Sequence, residues 1–258
     1  MVLFLLLMLL GLIGGFFSGL LGLGGSILMV PLLLFVPPLL GFAALDMKQV
    51  SAISIVQVLF ASLAAVMIHR KHNAVSRPLI LYMGTTSALA SLAGAWLSAY
   101  TSARFLLVLF AGISTLAALL MFLPKRETES DLPADLVPFN RPVAVALALG
   151  VGLIGGLIGA PGAFIYVPLL MYVLGIPTRV TLGSTLAIVL LGSLFGAIGK
   201  AATGQVPVMM ALALVLGAVP GAQLGGRLSR RVKVGHLRWM VTAVVVLSTA
   251  KIWMQALR

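Results

Sequence analysis

The sequence predicts an all-α polytopic membrane protein made of two inverted repeats. Each repeat is a broken or re-entrant helix pair followed by three transmembrane helices. Three observations carry that expectation. Apolar residues make up 61% of the 258 and charged residues only 9%, where a soluble domain carries about 25% charged residues. A glycine-rich apolar segment occurs twice. The basic loops are spaced so that they share one membrane face only if the long apolar blocks turn back on themselves.

Eight apolar blocks fall between the polar breaks, at 2–42, 48–68, 78–99, 104–123, 142–177, 180–202, 206–226 and 237–257. Six are close to the roughly 20 residues that cross a hydrocarbon core. The first and fifth are too long for one crossing, and both carry the glycine segment: GGFFSGLLGLGGSILMVPLLLF from Gly14, and GGLIGAPGAFIYVPLLMY from Gly155. Aligned on Val30-Pro31 and Val167-Pro168, the copies are offset by 137, and Gly15, Gly19, Gly22 and Gly25 fall on Gly152, Gly156, Gly159 and Gly162. The first block starts like a signal peptide but lacks a positively charged start, so it is read as retained. The repeat continues past the glycines. Ser54 and Ser62 answer to Thr185 and Ser193 at an offset of 131, and Gly94 answers to Gly221 at 127. The polar stretch from Pro124 to Pro142 holds four of the five acids. The expected organisation is therefore a first repeat at 1–123, a cytoplasmic linker at 124–141 and a second repeat at 142–258.

The net charge of +12 does not indicate nucleic acid, because the cations sit in loops and at block ends. There, Lys and Arg mark the cytoplasmic side. The loops at 69–77 and 227–238 are the basic ones. They face the same side only if the fifth block enters and returns. The same parity makes the repeats inverted, places the linker inside and puts both termini outside.

Broken helices at membrane depth line protein or water-filled cavities, and a duplicated pair points to a transporter site. The helix starting after Gly22, Gly24 and Gly25, with Ser26 in its first turn, presents free N–H groups. So does the one after Gly159, Pro161 and Gly162, where proline suits a helix start. Such ends attract anions, and two meeting near the midplane would hold a small one. Gly11, Gly15 and Gly19, at four-residue spacing, suit close helix packing instead. In the second block Ser51, Ser54 and Gln57 have Ser184, Thr185 and Ile188 as counterparts. Gln57 can donate two hydrogen bonds to an oxyanion without carrying charge, or can bond a neighbouring helix. The hydroxyls can serve as ligands or return to their own backbone. Gln223 can play either part. Lys48, Arg104, Arg179 and Lys200 sit near block ends, where long side chains snorkel. Lys200 is the best placed of these to draw in an anion.

No Asp, Glu or His lies in the middle of a span. That argues against a proton relay or a carboxylate cation site, and against a catalytic pair. With no cysteine and all three histidines in basic loops, no metal, cofactor or catalytic residue is expected. The chain is not expected to be an enzyme.

The paired motifs GGFFSGLLGLGGSILMVPLL and GGLIGAPGAFIYVPLL, with SAISIVQ and LGSTLAI after them, resemble the sulfite exporter TauE/SafE family of bacterial membrane permeases. The likeness covers essentially the whole chain. It implies a multi-pass protein of the bacterial inner membrane, not an enzyme, exporting sulfite or an organosulfonate such as sulfoacetate by alternating access. Its partners would be that anion and the lipid bilayer. A homo-oligomer is compatible with it and nucleic acid is not. Carried over, Gly22, Gly24, Gly25 and Ser26 match the first family motif, and Gly159 and Gly162 the second. Ala160-Pro161 departs from the Leu23-Gly24 of the first copy. The chain also lacks the cysteines of related thiosulfate-uptake proteins. An anion channel, or a transporter of another small anion such as a carboxylate, is the alternative.

Overall fold

The computed structural model describes residues 1–21, 26–69, 75–122, 133–161, 163–228, 250 and 252–254. Within them the chain is all-helical. Helix α1 is Val2–Leu21 and α2 is Ser26–Leu39. Helix α3 is Met47–His69, α4 is Arg77–Leu97 and α5 is Ala103–Phe122. In the second half α6 is Arg141–Ile158, α7 Ala163–Tyr172, α8 Thr178–Ala202 and α9 Val208–Leu228. The first long block thus becomes α1 and α2, and the fifth becomes α6 and α7. The eighth block lies almost wholly outside the described residues, as does the first half of the linker, 124–132.

Local chemistry sets the helix starts. Asp46 and Gln49 form a reciprocal cap on α3: Gln49 N donates to Asp46 Oδ1 at 2.7 Å, and Asp46 N to Gln49 Oε1 at 3.2 Å. This arrangement satisfies two N–H groups that a helix start leaves open. Asn140 Oδ1 caps α6 by accepting from Val143 N at 3.3 Å. Ser76 does the same for α4. Asp135, in a short turn before α6, accepts from Arg77 N at 2.7 Å, tying the segment ahead of α6 to the start of α4. Helix α4 carries a π turn at Ile80–Gly84. Thr86 Oγ1 donates to Tyr82 O at 2.7 Å and Thr85 Oγ1 to Leu81 O, so carbonyls that the wide turn loosens keep partners.

Six helices among the described residues are long and apolar enough to cross a membrane: α1, α3, α4, α6, α8 and α9. The burial pattern suits lipid. Leu5, Leu9, Leu89, Trp96, Leu119, Leu212 and Leu216 face outward, while Ser51, Ser54, Gln57, Ser91, Ser184, Thr185 and Lys200 are buried. Apolar outside and polar inside is the reverse of a water-soluble protein. The chain is a multi-pass membrane protein. At about 1.5 Å per residue, the 23 residues of α3 span the hydrocarbon with little to spare.

Small residues decide which helices meet. A methyl group added to Gly11, Gly15 or Gly19 of α1 would strike the backbone of Leu214, Ala218 or Ala222 on α9. Gly217, Gly221 and Gly225 of α9 press in turn on α1 at Met8, Leu12 and Phe16. Numbers rise together, so α1 and α9 run parallel. The other tight pair is α4 with α6, where Gly152 meets Ser87 and Gly156 meets Ser91, again in parallel. Packing of this kind gains dispersion by letting backbones approach where lipid offers no hydrophobic drive. The packing expected for Gly11, Gly15 and Gly19 is what they do. Helices α3 and α8 run antiparallel through the middle, with Ile55 against Gly196 and Ser51 against Lys200. They are the two most buried spans.

Candidate functional site

Helix α6 ends at Gly159, whose φ of +70° is left-handed, a conformation glycine adopts without a Cβ penalty. Gly159 also lies against the backbone of Ser51, where any side chain would collide. The chain then folds back over its own helix: Ala160 N donates to Gly155 O at 3.0 Å, and a methyl on Gly155 would sit 2.8 Å from Pro161 Cα. Pro161 is buried. It faces Gly192 of α8, where a methyl would lie 3.7 Å from Pro161 Cβ and 3.0 Å from Ser87 Oγ. Ser87 and Gly192 stand near the middle of α4 and α8, so α7 begins at mid-depth. Tyr166, one turn into α7, donates to Ser87 Oγ at 2.8 Å and lies 3.3 Å from Ala148 O.

The second glycine cluster therefore does build a broken element whose second helix starts inside the bundle. In the first cluster, Gly22, Gly24 and Gly25 lie outside the described residues, as does Gly162 in the second. Ser26 opens α2, and its side chain is likewise not described.

The polar residues of α3 and α8 separate into two kinds. Ser62 and Ser193 return to their own helices, donating to Leu59 O and Leu190 O at 3.0 Å. Ser184 Oγ accepts from Ser76 N at 3.1 Å and fastens α8 to the start of α4. Ser54 Oγ, both amide atoms of Gln57 and Thr185 Oγ1 are different: they are fully buried and have no hydrogen-bond partner among the described residues. Ser18 and Ser91 share that condition. Leaving such a group unpaired costs about 1–3 kcal/mol, so each calls for a partner, an ordered water or a ligand, that the described residues do not supply. Gln57 Nε2 points toward the Gly14 and Met29 packing of α1 on α2, 3.8 Å from where a Gly14 methyl would stand. Ser54 and Gln57 share one face of α3. Thr185 sits nearer the other end of the bundle, and no hydrogen bond joins it to Ser54. Gln223 is exposed.

Lys200 departs from expectation. Snorkelling would carry its ammonium out to the interface, but the residue is 0% exposed. Its Nζ donates to Ser98 Oγ at 2.7 Å and Ser51 Oγ at 3.0 Å, with longer contacts to Leu157 O at 3.4 Å and Gln205 Oε1 at 3.5 Å. No carboxylate is in ion-pair range among the described residues. The inward turn has a cause: α4, α6 and α8 all end beside it, and their C-terminal carbonyls favour a cation by about 0.3–1 kcal/mol each. Burying an ion costs several kcal/mol even after relaxation, so these ends do not cover it.

Sequence reasoning passed over Ser87, Ser91, Ser98 and Tyr166. The spacing of Ser87 and Ser91 against Gly192 and Gly196 was readable. Their meeting was not, since it needs α4 and α8 side by side. Ser91 Oγ stands 2.5 Å from where a Gly196 methyl would lie.

Inward-facing hydroxyls, an uncharged amide and a buried lysine, inside a bundle of apolar spans with a helix starting at mid-depth, are the features a membrane transporter uses. The sulfite exporter TauE/SafE family model matches residues 7–252, and the chain belongs to that family. It is 28% identical over 261 residues to the probable membrane transporter protein YunE of Bacillus subtilis (strain 168), covering 95% of each chain. It is 27% identical over 232 residues to the probable membrane transporter protein YdhB of the same organism, covering 88% of this chain and 89% of that one. A probable membrane transporter protein of Xylella fastidiosa (strain 9a5c) is 27% identical over 238 residues, 92% of this chain and 89% of the other. No solved structure is significantly similar to it.

Proposed function

We propose that the protein is a secondary transporter that exports a small sulfur-containing oxyanion, sulfite or an organosulfonate such as sulfoacetate, across the bacterial inner membrane by alternating access. The observation that carries this reading is the set of buried, unpaired neutral donors, Ser54, Gln57 and Thr185, in spans without a single Asp or Glu. Neutral donors suit an anion that must bind and leave. Carboxylates would repel it. The start of α7 after Pro161 and Gly162 adds a positive dipole end beside Ser87. Gly22, Gly24, Gly25 and Ser26 would supply the matching end in the first repeat, and Gly159 the turn that allows the break. Ser184 would act by positioning, because its oxygen is already engaged.

The inverted-repeat reading has support in the pairings. Helix α1 lies parallel to α9 and α6 parallel to α4, while the central α3 and α8 are antiparallel. A pseudo-two-fold axis in the membrane plane would generate that set. The repeats would be 1–123 and 142–258, joined by a cytoplasmic linker, with both termini outside.

A monovalent anion leaving a compartment 100 mV negative gains roughly 2.3 kcal/mol, so export would need no coupling carboxylate. The test is release of sulfite from proteoliposomes under an imposed potential, with sulfoacetate, sulfate and acetate as competitors. The expected result is saturable release that accelerates with interior-negative potential and is inhibited by sulfoacetate more than by acetate. Indifference to potential would overturn the driving force. Stronger competition by acetate would move the substrate to carboxylates, and failure to saturate would make the protein a channel.

A further inference from the structure

Lys200 and its surroundings form a second polar site, away from Gln57 and close to one membrane face. On α8, Gly192, Gly196 and Lys200 recur every four residues along one face. Opposite them on α4 stand Ser87, Ser91 and Ser98. The glycines let the helices close on the hydroxyls: Ser87 Oγ and Ser91 Oγ lie 3.0 and 2.5 Å from where methyls on Gly192 and Gly196 would be, and Ile55 Cδ1 lies closer still to the latter. Ser91 Oγ is buried without a partner. The row begins at Pro161, beside the start of α7, and ends at the Lys200 ammonium two helical turns away.

The Lys200 ammonium has no carboxylate partner among the described residues. Lys200 is fully buried, its acceptors are all neutral, and Lys48 adds a second positive charge from the same end of the bundle. Lys48 Nζ is held by Ala99 O at 3.0 Å. A lysine kept only to tie α3, α4 and α6 together could be replaced by a neutral donor without the burial cost. Two of its contacts are short and two are long. The long ones, to Leu157 O and Gln205 Oε1, are those an incoming oxygen would displace.

We propose that Lys200 is the anion-pairing residue at one mouth of the transport path, taking a small oxyanion on its ammonium, with the unpaired Ser91 hydroxyl the next donor toward the start of α7. This rests on the anion-transport reading above. On arrival the anion supplies the missing negative charge. Its onward movement leaves the ammonium to fall back on Leu157 O and Gln205 Oε1.

The test is sulfite flux in proteoliposomes carrying full-length wild type, Lys200→Met or Lys200→Arg, with helix content and thermal stability measured on the same preparations. Lys200→Met is expected to raise KM for sulfite about tenfold or more, with Lys200→Arg staying within about threefold of wild type. A lysine with a purely structural part would lower the yield of folded protein and leave KM unmoved in what remains. Should Lys200→Met fail to fold, Ser98→Ala removes the shortest contact to the ammonium at little cost in volume and is expected to raise KM several-fold. Unchanged KM in Lys200→Met, or in Ser98→Ala where only that variant folds, overturns the role of Lys200 while leaving the transporter reading intact. Wild-type protein that moves none of sulfite, sulfoacetate, sulfate or acetate overturns both.

Discussion

Gln57 and Ser62 lie on the same buried helix, and only their partners tell them apart. Ser62 has spent its donor on its own backbone. Gln57 has four hydrogen-bonding valences and no partner among the described residues. Replacing Gln57 by Leu therefore removes a standing penalty of about 1–3 kcal/mol at similar volume. The expected outcome is a melting temperature equal to or above wild type, together with sulfite flux reduced about tenfold or more. Differential scanning fluorimetry beside the flux assay reads both. A stability loss would mean that the amide holds the core together. Thr185→Val should behave in the same direction. Ser184→Ala should cost stability instead, about 0.5–1.5 kcal/mol for one net hydrogen bond, because it frees Ser76 N.

The helices are organised by glycine contacts that differ sharply in consequence. Gly15→Leu would drive a side chain into the Ala218 backbone, and backbone cannot give way as a flexible side chain can. Overpacking costs about 1–3 kcal/mol and sometimes more, so the expected result is a clear fall in melting temperature or in folded yield. Gly112→Leu, on α5 where nothing lies within 4 Å, is the matched control and should be neutral or mildly stabilising through helix propensity. Gly159→Val combines a left-handed φ with collision against Ser51. It should abolish transport and lower stability together, since the turn that returns the chain to α7 can form no other way.

At the level of the entire bundle, the contacts group the helix ends. Parallel α1 and α9 put Met1 beside Val208. Parallel α4 and α6 put Arg77 beside Arg141. Antiparallel α3 and α8 put Met47 beside Ala202. The basic segment entered at His69 and the one entered at Leu228 then start from the same end. Because the chain contains no cysteine, single-cysteine labelling can test the orientation without a background. Val75→Cys and Leu136→Cys, both exposed, should react with a membrane-impermeant maleimide only after permeabilisation. Tyr100→Cys and Met209→Cys, exposed at the other end, should react in intact cells. The opposite pattern would reverse the orientation and the side on which Lys200 sits.

The helical class, the break in the fifth block and the packing role of Gly11, Gly15 and Gly19 were legible in the chain. These rest on local quantities: apolar length, glycine spacing and loop charge. The inward course of Lys200 was not legible. From sequence it is a lysine two residues from a helix end, where snorkelling is the ordinary result. Only the tertiary structure brings three helix C-termini and the hydroxyls of Ser51 and Ser98 to it. The division between paired Ser62, Ser184 and Ser193 and unpaired Ser54, Gln57 and Thr185 was equally hidden. Hydrogen-bond satisfaction depends on which atoms other helices bring near, and no periodicity within one helix records that. Composition and spacing thus dictated a membrane-spanning helical bundle, while tertiary packing chose which of its polar groups were paired.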